Sequence, residues 1–406
     1  MIQTTTLDNG LRIVVDHRPG QIIYCGLAVE AGTRHELDTE SGMAHFTEHM
    51  SFKGTTRRRA WHIINRMESV GGELNAYTGK EHTIYYCSTL HKHLLRAIDL
   101  LFDITLNSTY PQHEMDKEAE VVIDEIESYN DSPSELIYDD FEAFIFPNNP
   151  LGRNILGNAE RLREYHTEDM LRFTRRLYHP NRMVLFVLGD TTLNQVANIA
   201  KRTCKSENHE TAPIKCEVPN IQPSNQNSII RKSTHQAHVI VGAQAFGMTD
   251  ERHMALYFLN NILGGPGMNS RLNLALRERR GLVYTVESSL TTYSDTGVWT
   301  TYFGCDHADV NRCLRLVHNE LSRLTDSALS PSALRVAKQQ LQGQAALSWE
   351  NGENVAINMG RRFLHTSNTL TLSQFCEAVE TLTAQQLLDV AQLVFSPDRL
   401  LTFSYQ

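Results

Sequence analysis

An internal repeat constrains the fold of this chain more than any other feature. Tyr178-His-Pro-Asn-Arg-Met-Val-Leu-Phe186 returns at the end of the chain as Phe395-Ser-Pro-Asp-Arg-Leu-Leu-Thr-Phe403, and each copy follows an amphipathic helical stretch that starts at a threonine. Glu114 to Glu125 is echoed by Ala333 to Gln342, and Gly71 to Thr89 by Gly281 to Cys305. A period of roughly 216 residues implies two copies of one supersecondary unit. The expected fold is therefore α+β, with two structurally homologous domains, each a largely antiparallel, strongly twisted sheet with helices packed on one face. Residues 205–227 are polar and punctuated by proline, as a linker is. They separate a first domain, residues 1–204, from a second, residues 228–406.

Local patterns fill in the first copy. Leu11-Arg-Ile-Val-Val15 and Ile23 to Val29 read as strands around a turn at Pro19-Gly20. Ala60 to Val70 reads as a helix stopped by Gly71-Gly72, followed by Leu74-Asn-Ala-Tyr-Thr78 and then a strand at Thr83 to Cys87. Leu90 to Leu106 is a further expected helix. Ser132-Pro-Ser-Glu135 has the form of a capping box with proline at the first helical position. Thr167 to Leu177 is the last helix of this copy and leads into a buried strand, Pro180 to Val187.

The first copy also carries chemistry. Gly42-Met-Ala-His-Phe-Thr-Glu-His-Met-Ser-Phe-Lys-Gly54 contains His45, Glu48 and His49 in the order H-x-x-E-H, the inverted form of a zinc-site motif. On a helix two residues four apart lie within about 40° of each other, so both imidazoles reach one ion and Glu48 sits beside them. Such a site keeps a position for water, lowers its pKa and needs a nearby base. Chance alone produces this order in about one such chain in twenty, so a third ligand matters. Glu114 to Ser128 reads as a helix whose buried stripe is Met115, Ala119, Val122 and Ile126. Glu118 and Glu125, two turns apart, share a face that flanks the stripe; they are either a solvated acidic edge or a source of that ligand.

Taken together, these segments resemble the inverted-motif zinc metallopeptidases of the pitrilysin, insulin-degrading enzyme and mitochondrial processing peptidase family, in a short two-domain form. The similarity spans nearly the whole chain and includes Gly32-Thr-Arg34 and Phe52-Lys-Gly-Thr55. It implies that His45, His49 and Glu125 hold one Zn2+ per chain, that Glu48 is the general base, and that Glu118 supports the ligands from behind. It also implies that the edge strand at Asn75 and Ala76 adds an extended peptide substrate as a further strand, which demands little of the peptide's sequence.

The second copy lacks the metal residues. Met254-Ala-Leu-Tyr-Phe-Leu-Asn-Asn-Ile-Leu263 stands where the zinc helix would be and offers no ligand. Gly264-Gly-Pro-Gly267 lacks the Lys-Ser/Thr of a phosphate loop. Further on, Arg277 and Tyr284 stand seven apart; by resemblance the arginine grips substrate carbonyls and the tyrosine hydroxyl supports the oxyanion. With the metal in one copy and this pair in the other, the resemblance implies a homodimer whose sites are shared between chains.

Composition agrees with a zinc endopeptidase for short or unfolded peptides. Its 406 residues, 41% hydrophobic and 21% charged, can bury large cores. A net charge of −9 without a basic aromatic-studded stripe argues against nucleic acid as a partner. Seven scattered cysteines without C-x-x-C, no leader-like N-terminus and no long apolar run point to the cytoplasm and away from a membrane. The alternative is a catalytically silent peptide-binding or assembly subunit of the same fold. Retention of His45, Glu48, His49 and Glu125 with Arg277 and Tyr284 favours the enzyme.

Overall fold

The structure, a computed structural model, describes residues 2–206, 216–219 and 226–406. Most of the expected linker, residues 207–215 and 220–225, lies outside the described residues. The chain forms two compact units, and each draws on both halves of the sequence. The first comprises Met1–Glu127, Arg153–Cys216 and Ser348–Leu370; the second comprises Ser128–Gly152, Glu217–Leu347 and Thr371–Gln406. This differs from a single cut at residues 205–227.

The first unit holds a six-stranded sheet of β1 (Ile2–Thr6), β2 (Arg12–His17), β3 (Ile22–Val29), β4 (Glu73–Thr78), β5 (Thr83–Leu90) and β6 (Met183–Gly189). Its order is β1-β2-β6-β3-β5-β4, with β2 and β6 parallel and every other pair antiparallel. Side chains alternate across this sheet with period two. Ile13, Val15, Ile23, Cys25, Leu27, Tyr85, Leu185 and Val187 face a helical layer that includes Met43–Met50, Leu94–Leu106, Gln112–Asn130 and Thr167–Leu177. Their neighbours Val14, Ala28, Ile84, Val184 and Phe186 point the other way, onto Ala356, Met359, Phe363 and Leu364 of the Gly352–Thr366 helix. The far face is thus covered too, by one helix from the C-terminal half of the sequence. Arg12 binds that helix's end, donating from Nη1 to the carbonyls of Phe363 and Leu364 at 3.2 and 2.9 Å.

The second unit holds β7 (Asn227–Ile230), β8 (Ala237–Phe246), β9 (Val283–Thr292), β10 (Thr296–Cys305) and β11 (Leu401–Tyr405), in the order β7-β11-β8-β10-β9. Only β7 and β11 are parallel. Without β1 the first sheet has the same connectivity and the same single parallel pair, so the repeat read from sequence is a repeat of topology. On one face of this sheet Ile240, Val298, Tyr302, Leu401 and Phe403 pack on Leu136, Ile137, Phe141 and Ile145 of the Pro133–Ile145 helix. Tyr138, Tyr293 and Tyr405 donate to Glu287, Glu142 and Asp140 at 2.6, 2.5 and 2.6 Å and fix that helix in place.

Two local expectations change, and one strand lies outside them. The helix expected from Leu90 begins at Leu94, because the β-branched run continues as strand and Leu90 pairs with Ile22. Ser132 caps the Pro133–Ile145 helix with its backbone carbonyl alone, which accepts from Glu135 and Leu136 at 3.0 Å, and its side chain makes no capping bond. β1 was not anticipated: Ile2-Gln-Thr-Thr-Thr6 is mostly exposed and lacks apolar alternation.

Candidate metal centre

The Met43–Met50 helix has only eight residues, too few to hold itself together by propensity. Burial and end-capping hold it instead. Met43, Ala44, Phe46 and Met50 are fully buried in the core. Glu36 accepts the amides of Gly42 and Ala44 at 3.2 and 2.8 Å and so satisfies two orphan donors at the helix start. Gly42 takes φ 77° there, and a Cβ on it would lie 2.8 Å from Cα of Gly157, so glycine is required on both counts.

On the free side of this helix the imidazoles of His45 and His49 stand 4.6 Å apart between ring centroids. Glu125, from the second turn beyond Glu118 on the Gln112–Asn130 helix, brings Oε2 to 3.9 Å from His45 Nε2 and 3.6 Å from His49 Nε2. One ligand atom from each of His45, His49 and Glu125 lies within 4.8 Å of the others, the only such metal-capable group of three among the described residues. A tetrahedral zinc with bonds near 2.0–2.1 Å separates its ligand atoms by about 3.4 Å. The 3.9 and 3.6 Å spacings to Glu125 lie within about half an ångström of that separation, and its side chain, 46% exposed, is free to adjust. The donor set of two imidazoles and a carboxylate suits zinc.

Around these three, each neighbour has a separable role. Burial, reinforced by His49, holds the His45 pKa down to about 3, so this ring is neutral, the form that ligates. Its Nδ1 is buried and has no hydrogen-bond partner among the described residues, so packing orients the ring. His49 differs: its Nδ1 meets Glu118 Oε1 at 3.0 Å, and Glu118 Oε2 in turn accepts from Lys53 Nζ at 2.5 Å. Burial would lower the His49 pKa, but Glu118, Glu48 and Glu125 together raise it. Burial lifts the Glu48 carboxyl above its usual range; the Thr78 hydroxyl and His49 oppose that shift, and Glu125 adds to it.

The remaining expected residues fall in two places. Asn75 and Ala76 lie on β4, the edge strand of the first sheet, opposite Tyr86 and Tyr85, and Asn75 Oδ1 accepts the Ala76 amide at 2.8 Å. Arg277 and Tyr284 belong to the second unit. There the guanidinium carbon of Arg277 stands 5.6 Å from the centroid of the Tyr284 ring, which is 79% exposed on the edge strand β9. The structure brings these two together. In the second copy's counterpart of the metal helix pair, Asn261 Nδ2 donates to Gln344 Oε1 at 2.7 Å, so amides join those helices. Sequence reading missed the roles of Lys53 and Thr78. Both lie in segments that carried the resemblance, but no spacing rule ties either to its partner.

Residues 12–159 match the family described as Insulinase (Peptidase family M16), and residues 166–341 match the Peptidase M16 inactive domain. The chain is 31% identical over 399 residues to an uncharacterized zinc protease, YmxG, of Bacillus subtilis, covering 98% of this chain and 97% of that protein. It is 30% identical to an uncharacterized zinc protease of Rickettsia felis, covering 96% and 94%. Among solved structures it superposes on a protease from Helicobacter pylori with a TM-score of 0.91 at 21% identity, covering 100% and 99%. A peptidase M16 inactive domain from Pseudomonas fluorescens gives 0.92 at 19%, covering 100% and 97%.

Proposed function

The chain belongs to the insulinase family of M16 peptidases, and on that footing we propose that it is a zinc-dependent endopeptidase for short or unfolded peptides. The observation that carries this reading is the convergence of His45 Nε2, His49 Nε2 and Glu125 Oε2 beside the carboxylate of Glu48. One zinc per chain, bound there, would supply a Lewis acid that polarises the scissile carbonyl and acidifies a water. Glu48 takes the proton from the attacking water and returns it to the leaving amine. Glu118 holds the Nδ1 side of His49, which would leave the Nε2 lone pair available to the metal. The free edge of β4 at Asn75 and Ala76 pairs with an extended peptide. Arg277 grips substrate carbonyls, and the Tyr284 hydroxyl donates to the developing oxyanion.

The proposal includes a homodimer in which the Arg277–Tyr284 pair of each chain serves the zinc site of the other. It places the activity in the cytoplasm, with no nucleic-acid or membrane partner. No helix among the described residues is long and apolar enough to cross a membrane. A catalytically silent subunit would have no use for a general base, so retention of Glu48 beside all three ligands weighs against that alternative. The test is Glu48→Gln. It should bind as much zinc as the wild type, about one per chain, and lose peptide hydrolysis by about 10²–10⁴-fold. Wild-type turnover by this variant would contradict the mechanism.

A further inference from the structure

The hydroxyl of Thr78 donates to Glu48 Oε2 at 2.5 Å, although 30 residues separate the two. We propose that Thr78 is a positioning residue that aims the Glu48 carboxylate and ties it to the strand on which the peptide lies. This inference rests on the peptidase reading of the same site.

The direction of the bond follows from proton counting. Thr78 Oγ1 has one other hydroxyl near it, Thr83 Oγ1 at 3.4 Å, and Thr83 gives its own proton to the carbonyl of Ala31 at 2.8 Å. Thr83 Oγ1 could therefore only accept from Thr78, and at 3.4 Å it competes poorly with the Glu48 carboxylate at 2.5 Å, which when ionised can only accept, so the single Thr78 proton goes to Glu48. The bond fixes Oε2 and leaves Oε1 as the oxygen to meet a water. Such a short charge-assisted bond is about twice as strong as a neutral one.

The backbone that carries Thr78 is also fixed. Thr78 is the last residue of β4, paired with Thr83 of β5, and the turn that follows closes through Gly79 N–H to His82 O at 2.8 Å. The Lys80 carbonyl accepts the Arg34 amide at 2.7 Å, and the Arg34 side chain forms a buried ion pair with Glu81 at 2.6 Å. On a strand the β-branched side chain of threonine has restricted χ1 freedom, so the hydroxyl keeps its aim. Among the described residues β4 has no partner on its outer side, so a peptide that pairs there lies on the strand whose end holds the general base. Register on the strand and aim of the base are then set by one piece of backbone.

Thr78→Val removes the hydroxyl and keeps the shape; Thr78→Ser keeps the hydroxyl. Zinc content, KM and kcat on one unstructured peptide should be measured for the wild type, both variants, Glu48→Gln and the double variant Glu48→Gln/Thr78→Val. The inference expects Thr78→Val to hold wild-type zinc and a KM within about 3-fold while kcat falls by roughly 10- to 100-fold, with Thr78→Ser within about 5-fold of wild type. In the Glu48→Gln background the second change should cost nothing more in kcat, and peptide affinity should stay the same. Wild-type kcat in Thr78→Val, or equal losses in Thr78→Val and Thr78→Ser, would overturn the role of the hydroxyl while an inactive Glu48→Gln left the peptidase reading standing. A fully active Glu48→Gln would overturn both.

Discussion

Glu118 touches no metal in the proposed site, yet the orientation of His49 depends on it. Its two oxygens are engaged by His49 Nδ1 and Lys53 Nζ, so losing the carboxylate charge frees the ring and strands the lysine. Glu118→Gln should weaken zinc binding by about 10- to 100-fold, measured by competition with a chromophoric chelator; unchanged affinity would mean that packing alone holds His49. A second residue-scale prediction concerns His35, buried and held down to a pKa of about 3 by burial first and then by His365 and nearby arginines. The unfolded chain has the ordinary value near 6.5, so this group's stabilisation is present above pH 6.5 and is lost as pH falls towards 3. Glu36 titrates in the opposite sense. Burial lifts it to about 8, so its contribution is present below pH 4.5 and is lost as pH rises through 8. The two effects cancel in a simple pH profile, and the clean measurement is a difference. Relative to His35→Gln, the wild type should lose on the order of 2 kcal/mol between pH 7 and pH 5 in urea unfolding. A constant difference would contradict a neutral buried His35. At this scale the sequence displayed His45, Glu48 and His49 openly, since all three sit within one turn and a half of helix. The resemblance singled out Glu125. Lys53 and Thr78 stayed silent because their partners are 65 and 30 residues away, and a hydroxyl-to-carboxylate bond leaves no periodic trace.

Among the elements, the Gly352–Thr366 helix lies close enough to the first sheet for Gly360 to rest on Phe186. A Cβ at Gly360 would stand 2.2 Å from Cδ1 of that fully buried ring, with no room to retreat. Gly360→Ala should therefore cost about 1–3 kcal/mol, despite the helix propensity it adds. Gly343, within Pro331–Ser348, has nothing within 4 Å of its would-be Cβ, and Gly343→Ala should instead stabilise by up to about 1 kcal/mol. Urea midpoints of the two variants distinguish these cases, and a shift of the same sign in both would show that the close approach to Phe186 is not felt. Strand pairing was legible because alternating β-branched runs announce a half-buried sheet. The destination of the Pro133–Ile145 and Gly352–Thr366 helices was not. An apolar helix face states that it must be covered, but not by which sheet, and each of these helices serves a sheet whose strands come mainly from the other half of the sequence.

For the whole molecule, the repeat gave the two-unit architecture, and the matched strand orders bear it out. A single linker cut did not describe the units, because each gathers three stretches of chain. The proposed sharing of sites between two chains predicts complementation. Glu48→Gln and the double variant Arg277→Ala/Tyr284→Phe should each be inactive alone. After full subunit exchange about half the dimers are mixed and one site in each is intact, so about a quarter of wild-type activity should return. No recovery despite proven exchange would contradict sharing. The central claim, that His45, His49 and Glu125 hold the one catalytic metal of an endopeptidase, is tested most directly by a zinc titration of chelator-stripped protein. Internal cleavage of an unstructured peptide is read by mass spectrometry at each step. Activity should rise linearly and stop at about one zinc per chain, with Glu125→Ala staying inactive across that range. Full hydrolysis by the stripped protein, or wild-type zinc-dependent activity in Glu125→Ala, would contradict the account.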